Sequence, residues 1–288
     1  MKNLFLLGLF LSSMAVANAF QVVKQPAFRH ASSRRYMSTA AVGGSASSLL
    51  SVLKKPSKVL TVGLEYSGNE LSANEISILS MQLRKCKATA IWSKSIDAVK
   101  EFAAEQQSAL GNFPGPCPVV YHGPTEDAAK AFEAGASAVV LTASDLDSLA
   151  SVQGEVVWKV SSKEDVDSIL EKTEQGANVF WVDTVEDAVV EAIPPKALWI
   201  ADIEPMQADG AEIAAGKAFK TQGCGSILVR DACVGDSEDL EYAQFAVGGL
   251  TSKASSEFKF SGLTGSTNGH FGGIQSNSKV KWRRKAEQ

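Results

Sequence analysis

The sequence predicts an α/β fold, one closed barrel of eight parallel strands, on three observations. Thr125 to Leu146, TEDAAKAFEAGASAVVLTASDL, reads as an amphipathic helix that stops at Gly135 and runs through two residues into an apolar strand, Ala138 to Thr142. Helical period gives way there to a continuous apolar run with no room for a long loop, the pattern of one αβ unit in a parallel sheet. The same form recurs in Glu164 to Asp187 and in Gly216 to Asp239, each time with a glycine after the helix. An acidic residue sits at or just past the end of each of these strands, and parallel strands with helical crossovers place their ligands at that end.

The elements can be taken in order from Lys58. Continuous apolar runs predict strands at Val59 to Tyr66, Ala88 to Ser93, Pro118 to His122, Ala138 to Thr142, Val156 to Val160, Val179 to Asp183, Leu198 to Asp202 and Ile227 to Asp231. The stretches between them carry helical period: Ala73 to Lys85, Ile96 to Gln107, Glu126 to Ala134, Asp145 to Ala150, Glu164 to Gln175, Val185 to Ala192, Ala211 to Lys220 and Glu238 to Val247. The fourth helix is short, and the 108–117 loop holds two prolines. Eight βα units in a row make a single (β/α)8 TIM barrel over residues 58–250, and a chain of 288 residues has the length for one.

Charge separates the body from the ends. Residues 1–40 hold five Lys/Arg and no acid, residues 251–288 hold seven Lys/Arg against two Glu, and residues 41–250 hold sixteen basic and thirty acidic side chains. An acidic body argues against nucleic acid as a partner of the main surface. The four cysteines, Cys86, Cys117, Cys224 and Cys233, have no metal-ligand spacing. They read as small apolar residues in a reducing compartment. No metal site and no cofactor are expected.

Both ends carry their own signals. Lys2, the apolar run Leu4 to Leu11 and the small-residue site Ala17-Asn18-Ala19 make residues 1–19 a secretory signal peptide. Residues 20–40 follow with Phe20, Ser32, Ser33, Arg29, Arg34 and Arg35, the composition of a transit segment. The order, ANA and then Phe20, resembles the bipartite presequence of algae whose plastids derive from a secondary red endosymbiont. That resemblance implies a plastid (chloroplast) stroma protein; the competing reading is a secreted protein with a basic pro-segment. Residues 41–57 read as a small-residue linker with one apolar patch, Leu49 to Leu53. Residues 251–288 form an irregular Gly/Ser-rich tail with Phe258, Phe260 and Phe271 spaced along it and a basic run, KVKWRRK, that contains Lys279, Lys281, Trp282, Arg283, Arg284 and Lys285. Too polar to order itself, such a tail suits docking on an acidic protein surface within a plastid complex, or a peripheral contact with the thylakoid surface.

Five pieces carry a resemblance across the barrel: PVVYH at the third strand, EAGASAVVL before the fourth, VVWKVSSKEDVDSIL at the fifth, GANVFWVD at the sixth and GCGSILVRDACVGDSED at the eighth. Together they are similar to the indole-3-glycerol-phosphate synthase family of ribulose-phosphate-binding barrels. That family's ring-closing decarboxylation and dehydration needs a lysine acid, carboxylates that handle protons, and backbone amides that hold a phosphate. Carried over by position, the family's acid and lysine on the first strand fall on Gly63 and Glu65. Its third-strand lysine falls on His122 and the following aspartate on Gly123. The fifth-strand glutamate becomes Lys159, the sixth-strand asparagine Asp183, and the seventh-strand Glu-Ser pair Asp202 and Ile203. The eighth-strand glycine that admits phosphate becomes Arg230.

The predicted mouth therefore holds Glu65, His122, Lys159, Asp183, Asp202, Arg230 and Asp231. Two readings follow. In the first these groups pair with one another and close a degenerate site, so that the protein works as a structural or interaction subunit through its tail. In the second they form an active site of a synthase-like carbon-carbon lyase or phosphosugar isomerase. There His122 would serve as acid/base and Lys159 or Arg230 as anchor for a small phosphorylated ligand.

Overall fold

In the computed structural model, residues 47–54, 59–68, 71–152, 154–173, 176–207 and 210–252 are described. The presequence 1–40 and the tail Phe258 to Lys285 lie outside them. Eight strands, β1 (Thr61–Tyr66), β2 (Ala90–Ser93), β3 (Val119–Tyr121), β4 (Ala138–Thr142), β5 (Glu155–Val160), β6 (Val179–Val182), β7 (Leu198–Ile203) and β8 (Ser226–Cys233), pair in parallel and in sequence order, with β8 closing on β1. Helices α1 (Leu49–Leu53), α2 (Ala73–Lys85), α3 (Ile96–Ser108), α4 (Ala128–Glu133), α5 (Lys163–Lys172), α6 (Asp187–Ala192), α7 (Ala211–Thr221) and α8 (Asp239–Thr251) complete it. The expected (β/α)8 barrel is the fold.

Local chemistry explains most boundaries. Ser72 and Glu75 form a capping box at the start of α2, Ser162 and Asp165 another at α5, and the Ser95 hydroxyl accepts from the Ala98 amide at α3. The turns into β4 and β8 use left-handed glycines, Gly135 at φ 100° and Gly223 at φ 96°. Gly176, read from the sequence as a third such stop, has no positive φ; α5 ends four residues earlier, where the Thr173 hydroxyl turns back to the Ile169 carbonyl.

Two stretches differ from the sequence reading. The fourth crossover, Ala143–Ser151, is a 3-10 helix. Asp145 accepts from both the amide and the hydroxyl of Thr142, at 2.9 and 2.6 Å, and so tightens the chain directly after β4. The second is Leu49–Leu53, which forms α1 where a linker patch was expected. Ser48 caps it, and both the Ser48 hydroxyl and the Leu50 amide donate to the carboxylate of Glu155, the first residue of β5. Leu49 and Leu53 are buried with Val140, Val157, Val179 and Ile200 in the cluster that fills the barrel. The helix thus plugs the N-terminal end, opposite the mouth.

Side-chain alternation sorts the strands into two cores. Val62, Leu64, Ile91, Trp158, Phe180 and Trp199 pack outward with the helices. Trp92 and Trp181 point into the barrel, edge to face with ring centres 5.6 Å apart. All four strand tryptophans are buried, as core packing requires.

Candidate functional site

The inward positions nearest the C-terminal ends of the strands bring together Glu65, His122, Lys159, Asp183, Asp202 and Arg230, as their places in the sequence predict. At the centre is Glu65, 1% exposed. One carboxylate oxygen lies 3.2 Å from both His122 Nε2 and Lys94 Nζ; these are ion-pair distances, and neither meets hydrogen-bond alignment. The other oxygen accepts from the Asp231 amide at 3.1 Å. Burial acts to raise the Glu65 pKa, but His122, the Asp231 amide and Lys94 outweigh it and hold the carboxyl at about 2.

A bulge in β8 supplies that amide. Leu64 pairs with Val229 and Tyr66 with Cys233, so three β8 residues stand opposite Glu65 alone. Asp231, at φ 45°, sits at the turn of the bulge; it serves Glu65 with its backbone, and its side chain is exposed. The remaining mouth groups pair off: Lys159 Nζ with Asp183 at 3.1 Å and Arg230 with Asp202 at 3.2 Å. Lys159 Nζ also lies 4.8 Å from the centre of the Trp181 ring. Burial raises the Asp202 pKa and nearby Asp183 adds to the rise, against the pull of Arg230.

Three features escaped sequence reasoning. Lys94 lies one residue past β2, and a strand-end rule extended by one or two positions would have found it. Gly63 and Gly123 are places where no side chain fits. A Cβ at Gly63 would meet Trp92 Nε1 at 2.6 Å, and one at Gly123 would run into the Tyr121 hydroxyl. Last, the turn after β8 donates the amides of Val234 and Gly235 to Asp239 Oδ2, at 2.9 and 2.8 Å. Asp239 is 2% exposed and begins α8. A helix start with free amides attracts anions, and here the anion is part of the chain. Among the described residues no group of three or more His, Cys, Asp or Glu is placed to hold a metal ion.

No family model matches the chain, and no curated protein matches it. Solved structures do. Orotidine 5'-phosphate decarboxylase from Pyrococcus horikoshii OT3 aligns at 12% identity over 67% of this chain and 100% of its own, with a TM-score of 0.50. A rubisco-like protein from Alicyclobacillus acidocaldarius aligns at 9% identity over 72% of this chain and 65% of its own, with a TM-score of 0.51. At these identities the likeness shows the barrel fold.

Proposed function

We propose that this chain is a plastid protein whose barrel has lost the phosphate-dependent chemistry of its type and serves as an interaction subunit of a larger plastid assembly, engaged through residues 251–288. The observation that carries the first half is Asp239. In (β/α)8 enzymes the loops after the seventh and eighth strands and an adjacent helix start commonly hold the substrate phosphate. Here the Val234 and Gly235 amides of the eighth turn are occupied by the chain's own buried carboxylate. A phosphate would have to displace a charged group already hydrogen-bonded in place.

The mouth supports the same reading. Two positions where the synthase family carries acids, Gly63 and Gly123, have Trp92 and Tyr121 in the space a side chain would need. The polar groups that remain neutralise one another in pairs. The partner half rests on the tail, where Phe258, Phe260, Phe271 and Trp282 supply apolar anchors and Lys279, Lys281, Arg283, Arg284 and Lys285 supply charge for an acidic partner.

One observation favours a second reading, an active lyase or isomerase. Glu65 and His122 form a buried contact at the end of the barrel where catalysis is usually placed. The two readings separate in one pair of experiments. The barrel, expressed in a tryptophan auxotroph that lacks indole-3-glycerol-phosphate synthase, is expected to leave growth unrestored; restored growth would establish the second reading. Native electrophoresis of plastid extracts is expected to find the full chain in a high-mass species and a chain ending at residue 252 outside it. A full chain running at its own mass would remove the case for an assembly.

A further inference from the structure

The surface beside the C-terminal end of α2 carries both a knob and a hole. The knob is Phe113, 97% exposed at the tip of the loop between α3 and β3, with Leu110 half exposed beside it. That loop is held from inside. The buried Arg84 guanidinium donates to the Pro114 carbonyl at 2.7 Å and to Glu105 at 2.8 Å. Gln106 accepts from the Cys117 amide at 2.7 Å, and the Asn112 amide closes a turn onto the Ala109 carbonyl. A protein that spends a buried cation on fixing a loop which then displays a bare phenyl ring has pre-organised an anchor, and little conformational freedom is left to lose when it docks. The hole is a cavity of about 210 Å³, predominantly apolar, lined by Gln82, Lys85 and Cys86 from α2 and the residue after it, and by Leu240 and Gln244 from α8.

We propose that Phe113 of one chain inserts into this cavity on a second copy, and that the second copy returns the contact. Three observations select a second copy as the occupant. Arg84, which holds the loop, precedes Lys85 and Cys86, which line the cavity. Knob and hole therefore flank a single helix end, the arrangement a two-fold axis needs for residue i to meet j while j meets i. Between Glu105 and His122 the sequence has no Asp, Glu, Lys or Arg, so the loop can seat against an apolar wall without stripping water from a charge. The areas also agree. A buried aromatic contributes roughly 150–250 Å², so two reciprocal insertions supply a large part of the about 1,000 Å² that a specific interface has to clear. Leu110 and the neutral loop backbone extend the contact around each anchor.

Cys86 supplies an internal reporter, because it lines the cavity and is half exposed while Cys117, Cys224 and Cys233 are buried. The test is sedimentation equilibrium of the full chain, with maleimide labelling of Cys86 across the same concentrations. The wild type is expected to dimerise at micromolar concentration, with Cys86 labelling slowing at least tenfold as the dimer fills. Phe113→Ser removes the knob and Gln244→Trp fills the hole, and each is expected to weaken the dimer at least a hundredfold. An equimolar mixture of the two variants restores one of the two insertions and is expected to associate more tightly than either alone. A wild type that stays monomeric at 100-fold higher concentration overturns the proposal, and so does a dimer that Phe113→Ser leaves unchanged with Cys86 still reactive. Because no mouth residue is touched, these outcomes are independent of whether the barrel is catalytic.

Discussion

A side chain at Gly63 would begin 2.6 Å from the Trp92 indole nitrogen, and Trp92 is itself wedged against Trp181 and His122. Overpacking of such a core costs about 1–3 kcal/mol. Gly63→Ala is therefore expected to lower stability by about 2 kcal/mol in urea unfolding, and Gly63→Glu, which reinstates an acid at that position, to lower it by more. A Gly63→Glu protein as stable as the wild type would show that the tryptophan yields easily and that the mouth is open to repair. Glu65 gives a second handle through pH. Its folded pKa, about 2, lies below its ordinary value of 4.5. The folded state thus favours the ionised form, and the stability this adds is complete above pH 4.5 and drains away as pH falls towards 2. Glu65→Gln is expected to cost on the order of 2 kcal/mol at pH 7, with the unfolding curves of variant and wild type converging as the solution is acidified. A constant gap between them would mean that Glu65 is held by packing alone.

Among the elements, α1 shows most clearly what a sequence does and does not declare. Five residues, LLSVL, inside a small-residue stretch have no helical period to speak of, and nothing in them names the carboxylate they answer to. Their partner, Glu155, is 105 positions from Leu50. The strands were legible for the opposite reason. Each is a buried apolar run whose signal is local, and all eight were found within a few residues of their ends. The mouth falls between these cases. Glu65, His122, Lys159, Asp183, Asp202 and Arg230 could be placed by counting along strands, but their pairing, the tryptophan over Gly63 and the Asp239 carboxylate on the β8 turn depend on contacts across the barrel or around a bulge. If α1 is a plug, removing its buried side chain must open a cavity in the barrel floor. Leu49→Ala is expected to cost about 2–4 kcal/mol, measured by thermal or urea unfolding, whereas a chain starting at residue 47 should unfold like the full one. A silent Leu49→Ala would return the segment to the status of a linker.

For the molecule as a whole, the question is where the barrel ends and its attachments begin. Leu250, 2% exposed, is the last buried anchor of α8, and its methyl group fills the space beside Gly216 on α7. The Thr251 hydroxyl bonds to the Val247 carbonyl, and the Ser252 amide closes the helix onto Gly248. A chain ending at residue 252 keeps all of these contacts, while one ending at residue 249 gives up a buried leucine. Such a loss costs about 2–4 kcal/mol, which for a barrel of this size shifts the melting midpoint by several degrees. The longer truncation is therefore expected to melt with the full chain and the shorter one well below it, as differential scanning calorimetry can read directly. This separation is what makes the proposed division of labour testable. If residues 253–288 can be removed without cost to the fold but not without cost to the assembly, the tail works as an attachment and the barrel as the body it attaches. A chain ending at residue 252 that melts far below the full protein would instead make the tail part of the barrel's own packing, and its aromatic residues would need no outside partner.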